Sequence, residues 1–379
     1  MYKPALLALE DGTVFEGYSF GAEGENNGEV VFNTGMTGYQ EVLTDPSYRG
    51  QIVTMTYTQM GNYGINDEDH ESWRPWVEGF IVAEACHVPS NWRSKLSLGE
   101  FMVRNNIIGI EGIDTRMLTK HLRTFGAKKG VISTIDLNPA NVIEKAKNSP
   151  SIVNIDLALD VTCDRIRRWK STSYVEFDPA APRNEEQHRV VVIDLGVKQN
   201  ILRMLQQRGC EVLVVPAKTS AAQIRELKAD GLVISNGPGD PDPITYAIAA
   251  VRELVSEMPI FGICFGQQIL ALALGGRTYK LKFGHRGVNH PVKNLRTGEV
   301  EITTQNHGFC VDLDSLKGTG MEPTHINLND NTVEGMRHAE LPVFSVQYHP
   351  EAGPGPHDSR YLFTEFMTDM AAFRALPDR

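Results

Sequence analysis

Of the five cysteines in this chain, only Cys264 stands between two glycines, in the stretch FGICFGQQ (261–268) that follows an apolar run ending at Ile263. A sharp strand-to-helix turn needs small flanking residues if its central side chain is to stand exposed above a sheet. G-x-C-x-G is thus the cysteine form of the G-x-S-x-G nucleophile elbow. The helix expected over 265–276 aims its N-terminus at Cys264, which favours thiolate over thiol. The same turn would equally serve to bury a small cysteine. A thiolate needs a base, and VFSVQYHPEAG (343–353) supplies His349 and Glu351 after another apolar run. Residues i and i+2 share one face of a strand, and Pro350 between them ends its pairing. The glutamate can then orient the imidazole as the acid does in a Ser-His-Asp triad.

The elements around these residues alternate. RVVVID (189–194) reads as a buried strand, VKQNILRMLQQRG as a helix closed by Gly209, EVLVV as a strand and SAAQIRELKAD as a helix. GLVIS, then PITYAIAAVRELVS opened by a proline, then PIFGI repeat the cycle. The fold class expected for this half is α/β, a mostly parallel sheet flanked by helices. Ligands gather at the carboxyl ends of strands in such sheets. Two loops fall there, NGPGDPDP (236–243) and the Cys264 turn.

The first half has short strand-like runs, ALLALE, EVVFNT and QIVTMTYT, between turn signals, with helices later, as after Asp114. It reads as a mixed α/β domain. In DTRMLTKHLRTFG an apolar stripe of Met117, Leu118, His121 and Leu122 makes His121 a packed residue. Texture changes at STSYVEFDPAAPRNEEQH, so the expected organisation is a domain over 1–170, a linker over 171–188 and a domain over 189–379. All four tryptophans precede residue 171.

Composition bounds the partners. The 379 residues carry 47 acidic against 37 basic side chains, a formal charge of −10 with no long basic run, which disfavours nucleic acid and anionic membranes. No apolar run approaches the roughly 18–20 residues of a membrane span, and the first residues lack the pattern of a secretory signal. Five cysteines without a C-x-x-C pair suggest neither a disulfide framework nor structural zinc. A soluble protein of the cytoplasm is expected.

With these residues assembled, the segment from about 189 to 379 resembles the class I glutamine amidotransferases, a Cys-His-Glu family. FNTGMTGYQEVLTDPSYRGQIV and GIDTR in the first half, with SNGPGDP, FGICFGQQ, NHGF and QYHPEA, extend the resemblance over nearly the whole chain. In that order they resemble the small, glutamine-hydrolysing subunits of carbamoyl-phosphate synthetases. The resemblance implies that Cys264 attacks the side-chain amide of L-glutamine, that His349 moves protons and that Glu351 orients His349. A glutamyl thioester would form, and glutamate and ammonia would leave. It further implies oxyanion donors at the backbone N–H groups of Phe265 and Gly237. Glutamine-holding positions would be Ser47, Gly237, Gly239, Phe265, Gln268, Asn306, Gly308 and Phe309, with Ser47 reaching from the first domain. Gln267 stands where a histidine is common and Phe265 where leucine is common, and neither removes a catalytic group.

Other polar residues are read as structural. Cys86 with His87, and Cys310 near His307, lack further ligands at metal spacing. GHRGVNHP places His285 and His290 in a polar loop. No phosphate-binding loop or dinucleotide fingerprint occurs, so no cofactor is expected in this chain. The resemblance places ATP and a divalent metal on a large synthetase subunit, the expected partner, which makes carbamoyl phosphate from bicarbonate for arginine and pyrimidine biosynthesis. Three alternatives stay open: another amidotransferase subunit, such as those of anthranilate or guanylate synthesis, a stand-alone γ-glutamyl cysteine hydrolase, and a catalytically silent scaffold.

Overall fold

The computed structural model describes residues 3–170, 173–176 and 187–376. The chain divides into two compact units, Met1–Ile155 with Lys282–Gly287, and Asp156–Leu281 with Val288–Arg379.

The first unit is built on a closed seven-stranded barrel. Its strands run in the order Lys3–Leu9, Val14–Ser19, Gly109–Glu111, Gly79–Ile81, Gln51–Met55, Glu25–Asn33 and Lys128–Ser133. Period-two alternation sorts their side chains. Leu7, Leu9, Val30, Ile52, Ile81, Ile110 and Ile132 share one core, closed by Leu118 and Leu122 of the helix Thr115–Phe125. Leu6 and Ala8 point the other way and meet Val142 and Ala146 of the helix Pro139–Asn148. Asp114 caps Thr115–Phe125 by accepting from the Met117 N–H at 2.8 Å. Met117 lies exposed and His121 bonds Asp11 at 2.7 Å, so the expected apolar stripe narrows to Leu118 and Leu122.

The second unit holds an eleven-stranded sheet, parallel at its centre. Glu211–Pro216, Arg189–Asp194, Gly231–Ile234, Ile260–Ile263 and Val343–Val346 pair in parallel. Val333–His338, Met321–Asn327, Thr278–Asn294 and Val300–Val311 follow on one side, and Arg167–Lys170 with Ser173–Glu176 flank the other. The pairings recorded in these wings are antiparallel. The expectation of a mostly parallel sheet therefore holds for the five central strands. RVVVID is buried at every position, as a strand covered on both faces must be. Val191, Ile193, Leu213 and Ile234 face a core shared with Val251 and Leu254 of Thr245–Leu254 and Ile269 of Phe265–Ala273. Val190, Val192, Val214 and Ile263 face one shared with Ile201 and Leu202 of Gln199–Gln207 and Phe363 and Phe366 of Tyr361–Arg374.

Three expectations shift. The boundary is not at 171–188: Ala158 and Trp169 lie in cores of the second unit, because Arg167–Lys170 pairs with Glu211–Pro216. Trp169 therefore belongs to the second unit. Ser173–Glu176, inside the expected linker, is a strand, while 171–172 and 177–186 lie outside the described residues. GHRGVNHP is no loop but part of the strand Thr278–Asn294. Its residues 282–287 join the first unit, where Phe283 stacks on Phe32 at 5.8 Å and the Arg286 carbonyl accepts from the Thr34 N–H. Among the described residues no helix is long and apolar enough to cross a membrane.

Candidate active site

Four loops at the carboxyl ends of the central strands of the second unit carry the candidate residues. The strand Ile260–Ile263 ends directly in Cys264, whose φ of 56° and ψ of −103° are sparsely populated for a residue with a side chain. The helix Phe265–Ala273 starts immediately after it. The glycines around it answer to close approach rather than to φ. A Cβ on Gly266 would lie 2.1 Å from the Ile234 carbonyl oxygen, and one on Gly262 would lie 2.8 Å from the Gly266 oxygen. Gly266→Ala is accordingly expected to destabilise the protein by about 1–3 kcal/mol, since the obstructing atom is backbone. The urea midpoint of the variant checks this.

Cys264 is only 1 % exposed, which corrects the expectation of a side chain standing free above the sheet. The segment bearing Asn306 lies over it, with the Asn306 carbonyl oxygen 3.6 Å from Sγ. Enclosure of this kind keeps bulk water from competing for a reactive acyl group.

His349 and Glu351 follow the strand Val343–Val346, which ends three residues before the histidine. This strand lies inside the sheet, between Ile260–Ile263 and Val333–His338. The His349 N–H still donates to the Thr304 carbonyl at 2.9 Å, and its Nδ1 meets Glu351 Oε1 at 2.8 Å. Both side chains are fully buried. The i, i+2 spacing thus brings base and acid together as expected, although the segment has left the strand.

Glu351 has a second partner that sequence reasoning missed. Lys198 Nζ lies 2.8 Å from the same Oε1, in a side chain only 7 % exposed. Burial alone would raise the Glu351 pKa, but Lys198 first and His349 second draw it down to about 2. Burial and Lys198 push His349 down, while Glu351 and Cys264 more than offset them and hold it near 10. Charges therefore alternate from Lys198 through Glu351 to His349.

The helix expected from residue 197 begins at Gln199, because residues 196–198 are engaged as a loop. Asp194 Oδ1 accepts from the Gly196 and Val197 N–H groups, and Asn236 Oδ1 accepts from that of Lys198. The one sequence signal for Lys198 was its place just beyond the carboxyl end of a central strand.

Lys198→Met removes one of the two cations held against a buried carboxylate, and breaking such a pair costs about 3–5 kcal/mol. Chemical denaturation at neutral pH should show that loss. Because the folded-state pKa of Glu351 is depressed, its stabilisation is full above the ordinary carboxylate range and disappears as pH falls toward 2. The gap between wild type and Lys198→Met should narrow on the acid side.

The predicted glutamine positions fall into two groups. Gly237 belongs to the glycine loop, where an added Cβ would lie 2.4 Å from the Leu195 oxygen and 3.0 Å from the Phe265 ring. Gly239 in the same loop has φ of 77°. Gln268, on the first turn of the Cys264 helix, donates through Nε2 to the Phe309 carbonyl at 2.9 Å and to Gln347 Oε1 at 3.1 Å. Its own Oε1 is buried and without a hydrogen bond. Asn306, Gly308 and Phe309 lie on one strand, Val300–Val311. Asn306 meets Cys264 through its carbonyl, Gly237 lies against Phe265 on the helix that follows the cysteine, and Gln268 on that helix bonds the Phe309 carbonyl.

Ser47 belongs to the first unit, where Asp45 Oδ1 accepts its N–H at 2.9 Å. His307 is held by the Phe309 carbonyl and Gln305, and burial first, then Glu334, pushes the Cys310 thiol to about 12. His307 also groups with His285 and Glu334, all buried, their ligand atoms within 4.8 Å of one another in an arrangement that could hold a metal ion, which the reading of the two histidines as structural did not foresee.

A doubly wound α/β domain with a cysteine elbow facing a His-Glu pair defines a class of cysteine-dependent hydrolytic domains. Comparison with known proteins makes this specific. The family model for class-I glutamine amidotransferases matches residues 191–368, and that for the carbamoyl-phosphate synthase small chain, CPSase domain, matches 7–132. A carbamoyl phosphate synthase small chain of Syntrophotalea carbinolica is 58% identical over 96% of both chains. Those of Aquifex aeolicus and Solidesulfovibrio magneticus are each 55% identical, over 97% and 96% of this chain and 99% and 97% of their own. The chain belongs to the carbamoyl-phosphate synthase small-chain family, and is a glutamine-hydrolysing small subunit of that family.

Proposed function

We propose that this chain hydrolyses L-glutamine through a Cys264–His349–Glu351 triad and passes the ammonia to a large, ATP-dependent synthetase subunit that makes carbamoyl phosphate from bicarbonate. The observation that carries the reading is the Glu351–His349 pair, fully buried and electrostatically coupled to Cys264, at the strand ends of an amidotransferase domain. Cys264 Sγ, its proton already held by the His349 imidazolium, attacks the carboxamide carbon, and the tetrahedral oxyanion accepts from the Phe265 and Gly237 N–H groups. His349 then gives its proton to the departing ammonia, leaving a glutamyl thioester. Water, deprotonated by the same imidazole, releases glutamate. Lys198 keeps Glu351 ionised, so that the carboxylate holds the ring in one orientation throughout.

Gln268 Oε1 is suited to the ammonium of the free amino acid, as a buried acceptor without another hydrogen bond. Gly239, Asn306, Gly308 and Phe309 would complete the glutamine site. Ser47 is included by family likeness. Free ammonia in neutral water becomes ammonium, which has no lone pair, so a protected transfer to the partner is expected. No cofactor in this chain is part of the scheme; ATP and a divalent metal belong to the partner. The products serve arginine and pyrimidine biosynthesis in the cytoplasm.

The test is glutamate release from glutamine by the purified chain, alone and with a large synthetase subunit, ATP and bicarbonate. Cysteine-dependent release that rises with the partner supports the reading. Full turnover without the partner, with substituted γ-glutamyl amides accepted, would favour a stand-alone hydrolase, and no release in either condition would favour a scaffold.

A further inference from the structure

One group of titratable side chains, buried apart from the partly exposed Tyr361, has no part in the scheme above. Tyr348 immediately precedes His349, is fully buried, and donates its hydroxyl to Glu301 Oε2 at 3.3 Å. The Tyr361 hydroxyl donates to Glu301 Oε1 at 2.9 Å, and Asn294 Nδ2 reaches Tyr361 at 3.0 Å and Glu301 at 3.4 Å. His325 Nε2 lies 3.3 Å from the Tyr361 hydroxyl and 3.8 Å from Glu301 Oε1, its ring edge-on to Tyr348. Three strands, one helix and the segment of the catalytic base therefore converge on one carboxylate. Burial alone would raise the Glu301 pKa, yet His325 and Tyr361 hold it below the usual range. Burial first, then Glu301, pushes Tyr348 well above an ordinary phenol, so it remains a donor.

A buried polar network adds little net stability over apolar residues of the same volume, and what it adds is a fixed arrangement. The arrangement fixed here is that of the site. Glu301 lies on Val300–Val311, whose Thr304 carbonyl accepts the His349 N–H and whose Asn306 carbonyl faces Cys264 Sγ. The bond from Tyr348 to Glu301 ties the segment of the base to the strand that covers the thiol.

We propose that Glu301, Tyr348, Tyr361 and His325 form a positioning cluster that holds His349 in register with Cys264, a proposal that rests on the glutaminase reading above. Tyr348 and Glu301 are positioning residues, neither of which touches substrate. Tyr348→Phe keeps the ring and removes the donor. Its kcat for glutamine hydrolysis should fall about 10- to 100-fold, the usual cost of a small misplacement of a reacting group. KM should stay within about threefold. Glu301→Gln, which keeps the shape and removes the charge, should fall in the same direction.

A double-mutant cycle separates positioning from bulk structure. In a His349→Asn background Tyr348→Phe should cost no further activity, because it acts through the lost imidazole, whereas a merely structural role would lower both backgrounds by the same factor. Unchanged kcat in Tyr348→Phe and Glu301→Gln, or equal losses in the two backgrounds, overturns the cluster. Cys264→Ser decides the underlying reading separately. Hydrolysis that survives Cys264→Ser removes the glutaminase assignment and the cluster with it, while Cys264-dependent hydrolysis with a silent Tyr348→Phe removes the cluster alone.

Discussion

Replacing Cys264 by serine should lower kcat for glutamine hydrolysis by about 10⁴-fold or more, the scale seen when a covalent nucleophile is removed from a site whose other parts act only with it. An alkoxide is far harder to form than a thiolate, so the His349–Glu351 pair cannot rescue the step. Binding should survive, because the proposed glutamine contacts are Gln268, Ser47 and groups of the glycine loop, of Phe265 and of the Asn306–Phe309 strand, none of them the thiol. KM, or the Kd measured calorimetrically, should move little. With the partner subunit and free ammonia, carbamoyl phosphate should still form, since only the ammonia source has been lost. Failure with added ammonia would mean that the variant had damaged more than its sulfur. The same residue supplies a stability readout. Its backbone conformation costs about 1–3 kcal/mol in a residue with a Cβ, so Cys264→Gly should be inactive and yet unfold at higher urea than Cys264→Ser.

The second large effect belongs to His349. Asparagine keeps a hydrogen-bonding side chain but cannot shuttle a proton, and kcat should fall by about 10³-fold or more. Its pH dependence follows from the environment. Glu351 and Cys264 hold the imidazole near 10 against burial and Lys198, so it is protonated throughout the neutral range. The proton needed by departing ammonia is present below that value and lost above it. Wild-type hydrolysis should therefore decline as pH rises toward 10, with that limb absent in the residual rate of His349→Asn. A wild-type profile that declines above pH 7 instead would contradict the proposed charge arrangement. Glu351 stays ionised down to about pH 2, so no acid limb near pH 4 should be traceable to it.

Much of the site was legible in the sequence because the deciding interactions are local. The glycines at 262 and 266 follow from what a strand-to-helix turn lets the backbone approach, and a Cβ added at Gly266 would come within 2.1 Å of the Ile234 oxygen, which bears out that reason. The pairing of His349 with Glu351 follows from i, i+2 geometry. The alternating runs of the second half predict a parallel core with helices on both faces. The first half was legible only as mixed α and β, since its short strands alternate alike whether a sheet stays open or closes.

What the sequence alone determined is therefore the set of groups whose partners lie within a turn or a strand of them: the cysteine elbow, the histidine-glutamate pair, and the order of strands and helices that carry them. Tertiary structure alone decided the rest. Lys198 meets Glu351, and Tyr348 meets Glu301, only because the sheet brings segments far apart in the chain to its carboxyl ends and its antiparallel wing. Residues 156–170 joined the second unit because a tryptophan strand found a sheet edge there. The enclosure of Cys264 depends on the strand that carries Asn306. Such contacts are set by burial and charge across the fold, which no local spacing encodes, because an unpaired charge or apolar face is satisfied by whatever neighbour the topology delivers.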